Sequence, residues 1–252
     1  MDNEFAGKCV IVTGASRGIG FAIARMLAQR GADLLLVARD ESRLRAASKA
    51  LVAETGRRVM IVAGDAASTH IAETVVAAAL AHFGRIDVLA NIAGWYPTAL
   101  VEHTSDADYR ATIDANLTAT FTMCRAALPA LQSVHGAIVN MSSTAARSPV
   151  PGLAVYSAAK AGIEAFTRAL AAEAAPGVRV NVVSAGPTLT DAVRELMASD
   201  TTGAVGAVTA NLPLGRLAEV EEIAEVVLFL ASQRANIITG QTLHANCGGH
   251  MA

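Results

Sequence analysis

Short apolar runs alternate with stretches of helical periodicity along this chain, and that alternation restricts its fold more than any other feature. Residues 9–13 (CVIVT) form an apolar run closed by Gly14, the pattern of a buried strand. Residues 18–29 follow with helical spacing and stop just before Gly31, a residue suited to the left-handed turn that closes a helix. The same pairing repeats, predicting strands at 33–38, 58–63, 86–92, 137–141 and 178–184 and a short last strand at 242–245. Helices are predicted at 41–54, 71–82, 106–131, 154–174 and 221–231. Strands separated by helices pair in parallel, because a parallel neighbour is reached only by a crossover that a helix can fill. Right-handed crossovers then put helices on both faces of the sheet. The expected architecture is α/β: a single doubly wound domain spanning residues 1–252, with a mainly parallel seven-stranded sheet. One segment resists the pattern. Residues 188–213 are rich in Ala, Thr and Gly and only weakly periodic, and are expected to form a mobile substrate lid.

Composition agrees with buried parallel strands. The chain is 53% hydrophobic but only 4% aromatic, so its core is built from Ala, Val, Leu and Ile. A chain of 252 residues buries roughly three quarters of its unfolded surface and needs no disulfide or metal to hold a core. The net charge of −2, without a basic run, argues against nucleic acid or an anionic membrane as partner. Cys9, Cys124 and Cys247 have no motif spacing and read as reduced thiols of a cytoplasmic protein. The acidic N-terminus does not resemble a signal peptide, and no apolar stretch approaches the ~20 residues of a membrane span.

The first strand runs through Thr13, Gly14, Ala15, Ser16, Arg17, Gly18, Ile19 and Gly20 directly into a helix. Glycines at these points let the backbone turn sharply and approach a pyrophosphate without a Cβ in the way. The helix start offers free N–H groups and partial positive charge to the phosphates. This is the dinucleotide loop of a Rossmann domain. Sites that take NAD(H) usually end the second strand with a carboxylate for the ribose diol. Here the strand ends Val37-Ala38-Arg39, and Arg17 lies in the loop. Two guanidinium groups suit a 2′-phosphate, so NADP(H) is expected. NAD(H) remains the alternative if the strand ends later and Asp40 reaches the ribose.

Four further segments fall at ends of predicted elements: Asn91-Ile92-Ala93-Gly94, Asn116, Ser142-Ser143, and Tyr156 through Lys160. Tyr156 and Lys160, four apart on a helix, share a face. Together with the glycine loop, this set resembles the short-chain dehydrogenase/reductase family, and the resemblance runs from Gly7 to Gly249. It implies that Asn116, Ser143, Tyr156 and Lys160 are the catalytic residues. It also implies that Asp65 and Ala66 border the adenine, that Asn91, Ala93 and Gly94 lie on the adenosine side, and that Pro187, Thr188 and Thr190 meet the nicotinamide carboxamide. Tyr156 and Lys160 would touch the cofactor as well.

The chemistry suits these residue types. A carbonyl that accepts hydride develops alkoxide charge and needs a proton. A free Tyr, with a pKa of about 10, exchanges protons poorly at neutral pH, and a neighbouring ammonium is expected to lower it by roughly 1–3 units. Ser143 would hold the substrate oxygen where charge grows. Asn116, polar in an apolar helix, would hold a water that relays protons to Lys160. Three departures from the family pattern stand out: Ile92 where a second Asn is frequent, Ala185-Gly186-Pro187 where Pro-Gly is usual, and Cys247 where Asp or Asn commonly precedes the glycines.

The expected function is NADP(H)-dependent hydride transfer between nicotinamide and a ketone or secondary alcohol. Overall similarity points to the 3-oxoacyl-thioester reductases, which overlap sugar, polyol and alicyclic alcohol dehydrogenases. Trp95, Tyr96, Pro97, Pro149, Val150 and Leu153 flank the reactive centre, consistent with a hydrophobic carbonyl compound or equally with packing or an oligomer contact, while Arg147 and Arg194 are the cations available to an acyl carrier. The rival readings are an NAD-dependent alicyclic or sugar alcohol dehydrogenase and a non-catalytic NADP-binding regulator. Family resemblance further implies a homotetramer, built through the helices at 106–131 and 154–174 and through the tail at 237–252.

Overall fold

In the computed structural model, residues 3–200 and 203–251 are described. Seven strands form one parallel sheet: β1 (Cys9–Thr13), β2 (Asp33–Ala38), β3 (Val59–Ala63), β4 (Val88–Asn91), β5 (Ala137–Ser143), β6 (Arg179–Ala185) and β7 (Thr242–Ala245). Their order is β3-β2-β1-β4-β5-β6-β7, so the chain reverses direction across the sheet between β1 and β4. All six pairings are parallel, beginning with Cys9 opposite Asp33 and Val10 opposite Val88. The two-residue period of each strand feeds two separate cores. Val10, Val12, Leu34 and Leu36 face helices α1 (Gly18–Gln29), α2 (Glu41–Thr55) and a C-terminal helix over Val220–Ala231. Cys9, Ile11, Leu35 and Val37 face the opposite layer, which includes α3 (Thr69–Phe83).

Local chemistry sets the helix ends. The Asp40 carboxylate accepts from Arg43 N at 3.0 Å to start α2, and Gly56, at φ +65°, ends it. Ser68 Oγ caps α3 at Ile71 N, so this helix begins at Thr69, two residues before the first apolar position expected to open it. β5 runs on through Ser143, which makes that serine the last residue of its strand.

The predicted long helix at 106–131 is one continuous rod with a flaw in it. Helix α4 (Asp106–Ile113) passes through a π-turn at Asp114–Thr118 into α5 (Ala119–Gln132). Ala119 N–H reaches back five residues to the Asp114 carbonyl, which widens the helix where Asn116 sits. Such bulges recur at functional sites. Helix α6 (Ala154–Ala174) packs beside this rod.

Residues 188–213 contain two helices that weak periodicity did not predict, α7 (Asp191–Ser199) and α8 (Ala204–Ala210); residues 201 and 202 of that segment lie outside the described residues. The C-terminal helix over Val220–Ala231 is α9. Among the described residues, no helix is long and apolar enough to cross a membrane. Cys9 and Cys124 are buried and Cys247 is half-buried.

Cys247 occupies the left-handed region, at φ +53°. That explains why Asp or Asn is the common occupant, since those side chains visit this region several-fold more often than others. Cys247→Asn is therefore expected to raise stability by about 0.5–1 kcal/mol. Urea denaturation would check this, and a lower midpoint in the variant would refute it.

Candidate active site

The site opens where the sheet reverses, between the carboxyl ends of β1 and β4, as it does in open α/β sheets generally. Thr13 Oγ1 joins the two strand tips by accepting from Ile92 N and Ala93 N, each at 3.0 Å. Gly14, at φ +69°, crosses so near β4 that a Cβ would lie 2.9 Å from Ala93 Cα. A Cβ on Gly20 would lie 2.3 Å from Gly14 O, so the first turn of α1 rests directly on the loop. Both glycines are thus steric necessities. Among the described residues, α1 has no side-chain cap at Arg17, which leaves its first amides for a ligand.

An open cleft with a volume of about 230 Å³ extends from this loop. Gly14, Ser16 and Arg17 line it from the loop, Ala38 and Arg39 from the end of β2, Asp65 and Ala66 from the end of β3, and Ala93 and Gly94 from the end of β4. β2 does end at Ala38, which puts Arg39 first beyond the strand. Asp40 lines the cleft, but its carboxylate accepts from Ser42 Oγ, Arg43 N and Arg43 Nε at 2.9, 3.0 and 3.3 Å. It is committed to capping α2. Arg43 is a third cation in the cleft, absent from the sequence reading although its position in the first turn after β2 marks it. Cleft and cations fit a dinucleotide with an extra phosphate.

Other predicted positions contribute differently. The Ile19 side chain packs into the core, leaving its backbone for ligand contact. Asn91 does not line the cleft; its amide donates to Asn140 Oδ1 at 2.9 Å and Cys124 Sγ at 3.3 Å in a buried network. The segment after β6 is pinned rather than free. Pro187 O accepts from Ala218 N at 3.2 Å, and Leu189 N donates to Ala218 O at 2.8 Å. Thr188 Oγ1 donates to Gly186 O at 2.9 Å. This path carries Thr190 to the phosphate loop, where its Cγ2 lies 3.6 Å from the Cβ position of Gly18.

Ser143, Tyr156, Lys160 and Asn116 converge beyond Gly94. Ser143 lies near enough to the Tyr156 phenol to favour its ionised form. Ser143 Oγ accepts from Ala145 N at 3.2 Å, which fixes it at the tip of β5. The Lys160 ammonium lies 5.5 Å from the centroid of the Tyr156 ring and donates to Met141 O at 2.9 Å. Asn116 Nδ2 donates to Thr112 O at 2.8 Å and Trp95 O at 2.6 Å, while its buried Oδ1 has no partner among the described residues. That oxygen and Lys160 Nζ lie 2.7 and 3.4 Å from the missing Cβ of Gly94, so glycine keeps the space between them open.

Electrostatics correct one expectation. Burial pushes the Tyr156 phenol up to about 12; neighbouring Ser143 opposes this and the nearby Tyr96 adds to it. Burial also brings Lys160 down to about 7. The ammonium was expected to depress the phenol, but desolvation dominates both groups, and Lys160 is itself reluctant to hold charge there. Three further contacts went unforeseen. The Tyr96 ring lies 4.5 Å from that of Tyr156, tilted by 39°. Arg147 and Arg194, expected as open cations, are paired with Glu164 at 2.9 Å and Glu219 at 2.6 Å.

Residues 14–250 match the family model described as enoyl-(acyl carrier protein) reductase. The 3-oxoacyl-[acyl-carrier-protein] reductase of Escherichia coli (strain K12) is 40% identical over 250 residues, covering 98% of this chain and 99% of that protein. This chain belongs to the short-chain dehydrogenase/reductase family. It is an oxidoreductase acting on a small-molecule substrate. The L-fucose dehydrogenase of Mus musculus is 37% identical over 98% of this chain and 90% of its own length. Among solved structures, a short-chain dehydrogenase/reductase titled glucose/ribitol dehydrogenase from Brucella melitensis superposes with a TM-score of 0.93 at 38% identity, covering both chains fully. The L-sorbose reductase of Gluconobacter frateurii, solved with NADPH and L-sorbose, gives 0.92 at 30% identity, also over both full lengths.

Proposed function

We propose that this enzyme reduces a 3-oxoacyl thioester or another hydrophobic ketone with NADPH, and oxidises the matching alcohol in reverse. The observation that carries the reading is the convergence of Ser143, Tyr156 and Lys160 next to a cleft lined by Arg17, Arg39 and Arg43. The phosphate loop would hold the pyrophosphate and the three arginines the 2′-phosphate, and NADPH supplies the hydride. Ser143 Oγ and the Tyr156 hydroxyl hydrogen-bond the carbonyl oxygen, and Tyr156 delivers the proton as alkoxide charge develops. Lys160 then returns a proton toward Tyr156 through a water that would sit in the space Gly94 leaves open and donate to the free Oδ1 of Asn116. Intact proton-transfer groups disfavour a non-catalytic regulator.

The acyl reading is supported by the Escherichia coli relative and by half-exposed Trp95, Tyr96 and Val150 around the reactive centre. Because Arg147 and Arg194 are already paired, the site offers contacts to an acyl chain rather than to a carrier protein. The sugar-active relatives favour a second reading, a polyol or ketose substrate. Absorbance at 340 nm with an acetoacetyl thioester, an alicyclic ketone and a ketose separates the two, the thioester or alicyclic ketone being the faster substrate.

Cofactor choice gives a sharper test. Hydrogen bonds to charged groups contribute roughly 1.5–3 kcal/mol each, so NADPH is expected to exceed NADH in kcat/KM by about tenfold to a few hundredfold. Arg39→Ala should erase most of this by weakening NADPH, and Ala38→Asp should turn the preference toward NADH. Equal efficiency of both cofactors on the unmodified enzyme would contradict the assignment.

In this reading the chain is one catalytic domain in which residues 188–213 close over substrate. The enzyme is a cytoplasmic homotetramer, an assembly supported by exposed apolar residues on α5 and in the C-terminal stretch, such as Phe121 and Ile237.

A further inference from the structure

Glu164 takes no part in the mechanism above, yet it is a carboxylate only 3% exposed, one turn beyond Lys160 on α6. Its two oxygens have different partners. Oε1 accepts from Ser142 Oγ at 3.0 Å, and Oε2 accepts from Arg147 Nε at 2.9 Å. Ser142 immediately precedes Ser143 at the tip of β5. Arg147 follows the short 3₁₀ turn Thr144–Ala146 that Ser143 caps. The carboxylate therefore holds the backbone on both sides of Ser143 and fastens it to the helix that carries Tyr156 and Lys160. Ser142 Oγ also lies 3.2 Å from Lys160 O, so its hydroxyl meets the helix at two points.

We propose that Glu164 is a positioning residue for the active site: through Ser142 and Arg147 it sets where Ser143 Oγ stands relative to Tyr156. The proposal rests on the catalytic roles given above to Ser143 and Tyr156. Hydrogen-bond donors act on a developing oxyanion only at close range, and a shift of about 1 Å can lower a rate by about a hundredfold. A buried carboxylate with two charged or hydroxylic donors is a stiff tether, because releasing either donor leaves a buried polar group without a partner. Glu164 does not line the cofactor cleft, so its effect falls on the chemical step.

The test is a double-mutant cycle on the full-length enzyme, with Glu164→Gln, Ser143→Ala and both together, reading kcat, the Kd of NADPH and thermal stability. Glu164→Gln alone is expected to lower kcat about tenfold or more, with the NADPH Kd within about twofold. In the Ser143→Ala background, the same change should alter kcat by less than about twofold, because the atom it positions is gone. Independent, multiplicative losses would overturn the proposal, since a carboxylate that merely braces α6 slows the enzyme in either background. A Ser143→Ala enzyme with undiminished kcat would overturn the catalytic reading and this proposal with it. An intact effect of Ser143→Ala combined with an unchanged Glu164→Gln enzyme would overturn this proposal alone. Should Glu164→Gln fail to fold, Ser142→Ala removes only the hydroxyl that Glu164 holds, and it should show the same dependence on Ser143.

Discussion

Tyr156→Phe is expected to lower kcat for ketone reduction by about three orders of magnitude while leaving the NADPH Kd within about twofold. The substitution removes one oxygen and keeps the ring that packs against Tyr96 at 4.5 Å, so the wall of the site survives. What disappears is the hydroxyl proposed to donate the proton, beside Ser143. Since burial pushes this phenol up to about 12, it is fully protonated throughout the neutral range, the form that reduction needs. Alcohol oxidation needs the opposite form, so its rate should rise with pH across the alkaline range while reduction stays flat. Steady-state kinetics in both directions would check this. A variant that lost less than tenfold, under about 1.4 kcal/mol, would show that Tyr156 is not the acid.

Lys160→Met should show a double effect: turnover falls by about a hundredfold or more, and the protein becomes more stable. Burial holds the folded-state pKa at about 7, below the ordinary value of 10.5. Below pH 7 the amine is charged in both states, and the native state bears the full cost of desolvating it. Between about pH 7 and 10.5 the unfolded chain still binds the proton and the folded one does not, so rising pH relieves that cost. The cost is on the order of 4–5 kcal/mol at most. Met removes it but leaves Met141 O without the donor now at 2.9 Å, a penalty of about 1–3 kcal/mol. Desolvation wins. The variant should gain about 1–3 kcal/mol at pH 6, and the gain should vanish by about pH 10. Urea denaturation at the two pH values decides the matter, and a variant less stable than the parent at pH 6 would refute it. The active site would then be a place where stability is given up for a lysine that function requires.

Much of this was legible in the chain because parallel strands and their crossover helices write separate periodicities into it. β1, α1, β2 and α6 begin and end where apolar spacing and flanking glycines put them. The phosphate loop was legible for a related reason, since Gly14 and Gly20 have backbone where a Cβ would be. The π-turn was not, because periodicity over 106–131 averages a single inserted residue away, and only Asn116 in an apolar rod hinted at it. The helices of 188–213 escaped because Ala, Thr and Gly carry little amphipathic contrast. The charge states of Tyr156 and Lys160 were misjudged for a different reason. Spacing four residues apart reveals which groups are neighbours, but their burial depends on elements distant in sequence. Likewise the pairing of Arg147 with Glu164 joins a loop to a helix 17 residues later, beyond any local pattern.

The three thiols differ in a way that is useful at the bench. Burial pushes Cys9 and Cys124 up to about 12, and both are sealed inside the sheet and α5. Half-buried Cys247 lies where the C-terminal turn meets the end of the 188–213 segment, its carbonyl accepting from Leu214 N at 3.2 Å. A maleimide dye at neutral pH should therefore attach at one position without any cysteine having to be removed first. The label would sit beside Leu214, at the edge of the segment proposed to close over substrate. Its fluorescence in the unmutated sequence would then report whether that proposed closure takes place within a single turnover.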